Sequence, residues 1–539
     1  MTNQKDLLTF EHDPIEYVRL QVDNQNEMNV KRQLSVFVER ICGLKYGKRK
    51  DRLPPMHLQN YMLTIQQNLE QMQGQDAATE ALLFAFGNLR DRCVWSGQEQ
   101  MMEAVQVVLQ NYAFPALDSP NPLLQARACW VYGRFASFEF KLTEHLQAAI
   151  NKMVQHLYSN HIAVKVEAAL AVSALLEHDV AVEFIRPGLG NVLKIFLKIM
   201  DDIDFEDLVN ALRRIVDVYE DEIAPYAVSL CQKLSEAYVR LISSKGRHDD
   251  EDSEAGLTAD GLMTAIRRVL NSISGRFPEL YPQLEVILEQ SILLSLSEAG
   301  ATSTDEGLTC VSELIYNQTA VSPRMWQFYA HIVDSYLQDR GVLEQLVSQA
   351  AVPLINFMVK APQEFKTANF EGHGTPIDMM FRFIAKIFSD GRELDDEIHS
   401  MCAVTLIMAI LEHLGDGLQQ QLHTINQFYL EEMAAADTKN YKNMLVQGIM
   451  MNFWYDQSLT LQSLQATGSL DTVFAFILER AREMDKDFEI KRLIIGLSTL
   501  TLSPQSSQVD PVVQHRFPEF MQAILVLCRR SLEIREKKM

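Results

Sequence analysis

The sequence predicts an all-α fold built from stacked pairs of helices. Gly and Pro are scarce, at 23 and 17 of 539 residues, about 7% of the chain against an average usage of roughly 12%. Apolar residues recur at i, i+3, i+4 and i+7 in runs of about 15–20 residues from end to end, and no stretch alternates with period 2. Few turn formers and helical periodicity together indicate many long helices.

A repeated helix is the third observation. Similar helical segments begin at Ala126, Val164 and Leu208, so the first two lie 38 residues apart and the third follows after 44. HEAT and armadillo repeats are paired helices of about 40–47 residues each. We therefore predict a HEAT/armadillo-type α-solenoid, a superhelix of antiparallel helix pairs, as a single domain over residues 1–539 with roughly twelve or thirteen units.

The helix expected over residues 163–178 shows why such units stack. Val164, Ala168, Ala171 and Leu175 form one apolar stripe, and neighbouring positions widen it nearly all round the helix. Such a helix must be buried between neighbours. The preceding helix, near residues 143–158, is amphipathic, and an amphipathic outer helix beside an apolar inner one is what a two-layer solenoid requires.

Composition and charge restrict the partners. The chain has 49 basic and 71 acidic residues, a net charge of −22, which repels nucleic acid and anionic membranes and attracts basic proteins. Solubility of a large protein explains the same charge equally well. Seven cysteines without a close pair argue against a disulfide framework or zinc ribbon and indicate a reducing compartment. No apolar stretch approaches the roughly 18 residues of a membrane span.

Motifs for catalysis are missing from the sequence. We find no phosphate-binding loop, no dinucleotide fingerprint, and no zinc-protease or serine-hydrolase motif. We therefore predict that the chain is not an enzyme and uses no metal or cofactor. The dense basic cluster at residues 45–52, KYGKRKDR, fits a localisation signal, an anion site or a solvated loop between helices.

An acidic segment interrupts the helical pattern. Residues 245–256 are polar throughout, so we predict a flexible loop between a helix ending near Leu241 and one starting near Leu257. The acids could meet a basic partner or merely be solvated, and the sequence leaves both open. The candidate binding residues are Asp249, Asp250, Glu251, Asp252 and Glu254.

Four motifs carry a family resemblance, in order and at similar spacing. They are HDPIEYVR at residues 12–19, ARACWV at 126–131, VKVEAA at 164–169 and VSPRMWQ at 321–327. Together with the acidic segment they resemble the importin-β superfamily of nuclear transport receptors, specifically the importin-7/8 subgroup. The motifs cover about residues 10–330, and the remainder is similar in pattern only.

The resemblance implies a nuclear import receptor that shuttles between cytoplasm and nucleus through nuclear pores. Members of this group bind basic cargo such as ribosomal proteins and histones on an acidic inner surface, bind FG-repeat nucleoporins between outer helices, and release cargo to RanGTP. By the same resemblance, the acids of segment 245–256 would contact cargo or Ran. No contact with nucleic acid or membrane is expected.

Two departures from the family affect these expectations. The DPxEY segment of the family follows an N-terminal Ran-binding arch, whereas here it starts near residue 12, and the family's long acidic tail has no counterpart. We therefore expect the principal Ran-binding region to be absent from this chain and RanGTP binding to be doubtful. Two other functions fit the fold: a HEAT scaffold of the phosphatase-regulatory type, and an export receptor.

Overall fold

Helices follow one another along the whole described chain. The computed structural model describes residues 4–17, 30–44, 56–72, 74–96, 99–203, 206–244, 252–339, 341–370, 373–394, 396–502 and 511–536. These residues contain no β-strand, and their single isolated bridge joins Phe370 to Gly374. The predicted all-α class is confirmed.

The first of two compact units is Met1–Ile273. Its sixth helix continues through a π-helical turn, Leu109–Ala113, into a last α turn, Phe114–Ala116. Its helices are α1 Gln4–His12, α2 Val30–Cys42, α3 Met56–Gln71, α4 Asp76–Gly87, α5 Arg90–Ser96, α6 Glu99–Val108, α7 Pro122–Arg134, α8 Thr143–His156, α9 Ile162–Ala174, α10 Asp179–Ile185, α11 Leu189–Asp202, α12 Glu206–Val218, α13 Ala227–Ser244 and α14 Asp252–Ile273.

The second compact unit is Ser274–Met539. Short 3₁₀ turns connect several of its helices, as in the first unit. Its helices are α15 Tyr281–Ser295, α16 Thr304–Asn317, α17 Pro323–Asp339, α18 Val347–Lys360, α19 Pro362–Thr367, α20 Pro376–Leu394, α21 Glu397–His413, α22 Gln419–Ala435, α23 Lys439–Tyr455, α24 Gln457–Ala466, α25 Leu470–Ala481, α26 Asp487–Leu502 and α27 Pro511–Glu536.

Within each unit the helices form two layers. In the first unit α4, α7, α9, α12 and α14 each pack on the next member of this series, and in the second unit α16, α18, α21, α23 and α26 do the same. We call each series the inner layer of its unit. The helices between them in sequence form the outer layer, whose successive members contact one another less. An inner helix within a series therefore packs on the inner helix before it, the inner helix after it and an outer helix, as repeat stacking requires.

Helix α9 confirms the predicted inner helix. Val164, Ala168 and Ala171 are almost fully buried, and most of the other buried residues of the helix are also apolar. Close packing on α7 is possible because Gly133 faces it: a Cβ at Gly133 would lie 3.2 Å from the Cα of Ala171. The small residues of the repeat therefore set the spacing of the inner layer.

The start of α14 differs from the prediction. We expected a loop over residues 245–256 and a helix from about Leu257, whereas α14 begins at Asp252. Acidic residue types are favoured in the first turn of a helix, because its N-terminal N–H groups carry a partial positive charge. Acidity alone is therefore no evidence for a loop, and residues 252–256 belong to the helix.

Candidate partner-binding surface

The predicted acidic site lies mostly outside the described residues. Asp249, Asp250 and Glu251 are among the residues that the structure does not describe, and so is the basic cluster at residues 45–52. Asp252 and Glu254 lie in the first turn of α14 by their backbone, but their side chains are outside the description. Their role in binding therefore stays a prediction.

A buried ion pair joins two inner helices of the first unit. Arg127 on α7 donates from Nε to Oε1 of Glu80 on α4 over 2.8 Å, and the two side chains are 7% and 4% exposed. The Arg127 guanidinium lies 4.7 Å from the ring centre of Phe84 and 4.8 Å from that of Trp130. Burial alone would lower the pKa of Arg127. The pKa is nevertheless raised, because Glu80, Tyr17 and Glu167 interact electrostatically with the guanidinium and Glu80 accepts its hydrogen bond. Arg127 is therefore held as a cation by Glu80.

Next to this pair, α7, α9 and α12 enclose a cavity of about 200 Å³, which we call the unit 1 cavity. Glu167 of α9 lies in its wall and is 8% exposed. The charged residues around the cavity are of both signs, with two acids and two arginines. The lining residues are Trp130, Gly133, Arg134, Glu167, Leu170, Ala171, Ser173, Ala174, Asp207, Asn210, Ala211 and Arg214.

Glu167 is the perturbed group of this cavity. Burial raises its pKa from 4.5 to about 7; Arg127 opposes that shift and Asp207 adds to it. No hydrogen bond or ion pair links Glu167 to another described residue. A buried carboxyl group without a hydrogen-bond partner is costly to ionise. Near neutral pH, Glu167 is therefore present in both its protonated and its ionised form.

The inner layer of the second unit presents a different surface. Along α21, Ile398 is 61% exposed and Met401 is half-buried. Val352 and Val359 on α18 and Phe488 and Ile495 on α26 are also exposed. These inner helices therefore expose several apolar side chains, and the flexible Met401 can adapt to different shapes.

These helices enclose a second cavity of about 430 Å³, which we call the unit 2 groove. Arg492 of α26 spans it, donating from Nη1 to Oε1 of Gln447 over 3.1 Å. Glu489 is 5% exposed, its Oε1 is 3.5 Å from the Lys486 ammonium, and its Oε2 has no hydrogen-bond partner among the described residues. The lining residues are Ile355, Met401, Thr405, Met408, Ala409, Glu412, His413, Asn440, Met444, Gln447, Lys486, Phe488, Glu489 and Arg492.

Neither cavity is lined by acids alone. The unit 1 cavity carries acids and arginines together, and the unit 2 groove carries acids beside a lysine and an arginine. Sequence analysis missed both cavities. A signal existed for the first: Arg127 and Glu167 are charged residues inside otherwise apolar helices, and buried polar residues are the informative exceptions.

The described residues contain neither a metal-ligand cluster nor a helix that could span a membrane. In that part of the chain, no group of three or more His, Cys, Asp and Glu side chains is placed to hold a metal ion. None of the described helices combines the length and apolar character that crossing a membrane requires.

The fold agrees with solved α-solenoid structures. A bidirectional nuclear transport receptor of S. cerevisiae, Lph2, superposes with a TM-score of 0.69 at 11% identity, over 98% of this chain and 54% of that one. The exportin Cse1 in its cargo-free, cytoplasmic state gives 0.65 at 13% identity, over 97% and 55%. At such identities the likeness shows the fold alone. The class that fold and layers define is a HEAT-type α-solenoid.

Within the HEAT-type α-solenoids, the similar sequences are those of nuclear transport receptors. The chain is 24% identical over 544 residues to human importin-8, covering 98% of this chain and 50% of the relative. It is 24% identical over 535 residues to the importin beta-like SAD2 homolog of Arabidopsis thaliana, covering 97% and 50%. No family model matches the chain. The resemblance to importin-β superfamily receptors that the four motifs indicated is confirmed, and it extends along nearly the whole chain. The chain spans about half the length of these curated relatives.

Proposed function

We propose that this chain is the cargo-binding part of a nuclear transport receptor and that it moves between cytoplasm and nucleus. The observation that carries the proposal is the similarity to human importin-8 over 98% of the chain. The layered stack suits this task, because small rotations between repeats add along a solenoid and let one surface adapt to partners of different shape.

Basic proteins, such as ribosomal proteins and histones, are the proposed cargo. The net charge of −22 attracts them at long range, which speeds association and makes it sensitive to salt. The acids of segment 245–256, among them Asp249, Asp250, Glu251, Asp252 and Glu254, remain proposed contacts for cargo or Ran. FG-repeat nucleoporins are the proposed partners at the pore.

The experiment measures binding of the purified chain to a linker histone across a salt series, with and without RanGTP. Tight binding that weakens steeply with salt supports the proposal. Binding that RanGTP leaves unchanged would indicate that these 539 residues hold cargo independently of Ran, and release by RanGTP would show that they contain a Ran site.

Two control measurements keep the alternatives apart. An immobilised FG-repeat peptide should retain the chain, whereas the same peptide with Phe replaced by Ser should not. If the chain binds neither linker histone at low salt nor the FG peptide, the transport proposal is wrong and a scaffold function takes its place. Binding to cargo that requires RanGTP would instead favour an export receptor.

A further inference from the structure

The unit 1 cavity has the dimensions and the lining of a site for one long side chain. Its volume is about 200 Å³, below the roughly 300–1,000 Å³ of pockets that hold drug-sized ligands. Leu170, Ala171 and Ala174 of α9 give it an apolar wall, and the half-buried ring of Trp130 lies beside them. An aliphatic stem would therefore find apolar contacts along its length.

Glu167, at the buried end of the cavity, is more than nine-tenths buried and has no hydrogen bond to a described residue. Arg127 acts on Glu167 electrostatically, but its guanidinium is bound to Glu80 at 2.8 Å. Asp207 of α12 brings a second acid to the same cavity. Arg134 and Arg214 also line it, but both are exposed, so water screens their charge.

We propose that the unit 1 cavity binds the side chain of a single lysine of a protein partner, with Glu167 as the acceptor and Trp130 beside the lysine stem. The ammonium would donate to a carboxylate that accepts no hydrogen bond from a described residue, and hydrogen bonds to charged groups are the stronger ones. That the partner is a lysine-rich protein rests on the proposed function; the site itself rests on the cavity and on Glu167.

Proton release should accompany binding. The pKa of Glu167 is about 7, and an ammonium in the cavity would lower it, since an opposite charge favours the ionised form. The charged groups that face Glu167 are Arg127 and Arg134 from α7 and Asp207 and Arg214 from α12. No charged residue of α8 or α11, which also contact α9, lines the cavity. Affinity should therefore rise with pH through about 7.

The test uses the full chain, a fluorescent peptide that alternates lysine with glycine and serine, and the same peptide with acetyl-lysine. At about pH 8 the variant Glu167→Gln should bind the lysine peptide about tenfold more weakly than wild type, the loss of one charged hydrogen bond. For wild type, affinity at about pH 6 should be roughly a tenth of that at about pH 8, and Glu167→Gln should not show this change. Glu177→Gln, at an exposed carboxylate just after α9, is the matched control and should behave as wild type.

A second measurement locates the contact. Zero-length carbodiimide coupling should join the peptide lysine to Glu167, as peptide mass spectrometry would show. Equal binding by Glu167→Gln and wild type, or a pH dependence that survives in that variant, would overturn the lysine site. If wild type still binds linker histone in those cases, the proposed function stands; if it binds neither histone nor peptide, both fail.

Discussion

The ion pair between Arg127 and Glu80 makes a strong prediction about stability. Both side chains are buried, their atoms are 2.8 Å apart, and the guanidinium also lies near the rings of Phe84 and Trp130. Arg127→Met keeps much of the apolar volume and removes the charge. It leaves the carboxylate of Glu80 buried without its cation.

The magnitude follows from this geometry. Removing one partner of a buried ion pair costs about 3–5 kcal/mol, and loss of the cation–π contacts adds on the order of 1 kcal/mol. We therefore expect a loss of about 4 kcal/mol in Arg127→Met. The double variant Glu80→Gln with Arg127→Met should come within about 1 kcal/mol of wild type, since no buried charge is left alone.

Amide hydrogen exchange is the suitable assay, because repeats of a solenoid can open locally and global unfolding need not be two-state. Amides of α4 and α7 should lose protection in Arg127→Met and regain it in the double variant. The control is Lys141→Met, which breaks an exposed pair with Glu103 at 3.5 Å and should cost less than about 1 kcal/mol. A loss no larger than this control, or no recovery in the double variant, would refute the reasoning.

Three further predictions concern single positions. Gly87→Ala should lower the thermal midpoint through a net loss of about 1–2 kcal/mol, because a Cβ there would overlap the Trp130 ring; an unchanged midpoint would contradict the packing of α4 on α7. In the folded chain the pKa of Glu167 is raised to about 7, so its stabilising contribution is present below about pH 4.5 and lost as pH rises to about 7. By about pH 8 the free energy of unfolding of Glu167→Gln, measured by denaturant titration, should therefore have risen by roughly 3 kcal/mol relative to that of wild type. Parallel pH profiles of the two proteins would contradict this. Cys528 is exposed and the other six cysteines are buried, with burial raising the pKa of Cys93 to about 12; a thiol reagent should label one cysteine per native chain and none in Cys528→Ser.

Local signals in the sequence were sufficient for the helices and their stacking. Asn121 before Pro122 predicts the start of α7, and the Asn121 side chain indeed accepts a hydrogen bond from the N–H of Leu123 over 3.0 Å. The π-helical turn Leu109–Ala113 could not be predicted in this way. It precedes Pro115, which has no N–H and cannot continue a regular helix without adjustment.

The candidate sites depend on contacts that sequence patterns do not contain. Arg127 and Glu80 are 47 residues apart, so their pairing results from the stacking of α7 on α4. In the motif at residues 164–169, Glu167 is one charged residue within an otherwise apolar helix. Only the position of α12 brings Asp207 toward Glu167 and encloses the cavity.

Charge at the level of the whole chain and charge within the cavities have different consequences. The unit 1 cavity holds two acids and two arginines, and the unit 2 groove holds two acids, one lysine and one arginine. The excess of acidic over basic residues that gives the net charge of −22 therefore lies outside both cavities. Long-range attraction of a basic partner depends on that excess and is screened by salt, whereas a lysine in the unit 1 cavity would be held by one buried carboxyl group that titrates near pH 7. Salt should thus act mainly on the rate of encounter, and pH on the lifetime of the contact at Glu167.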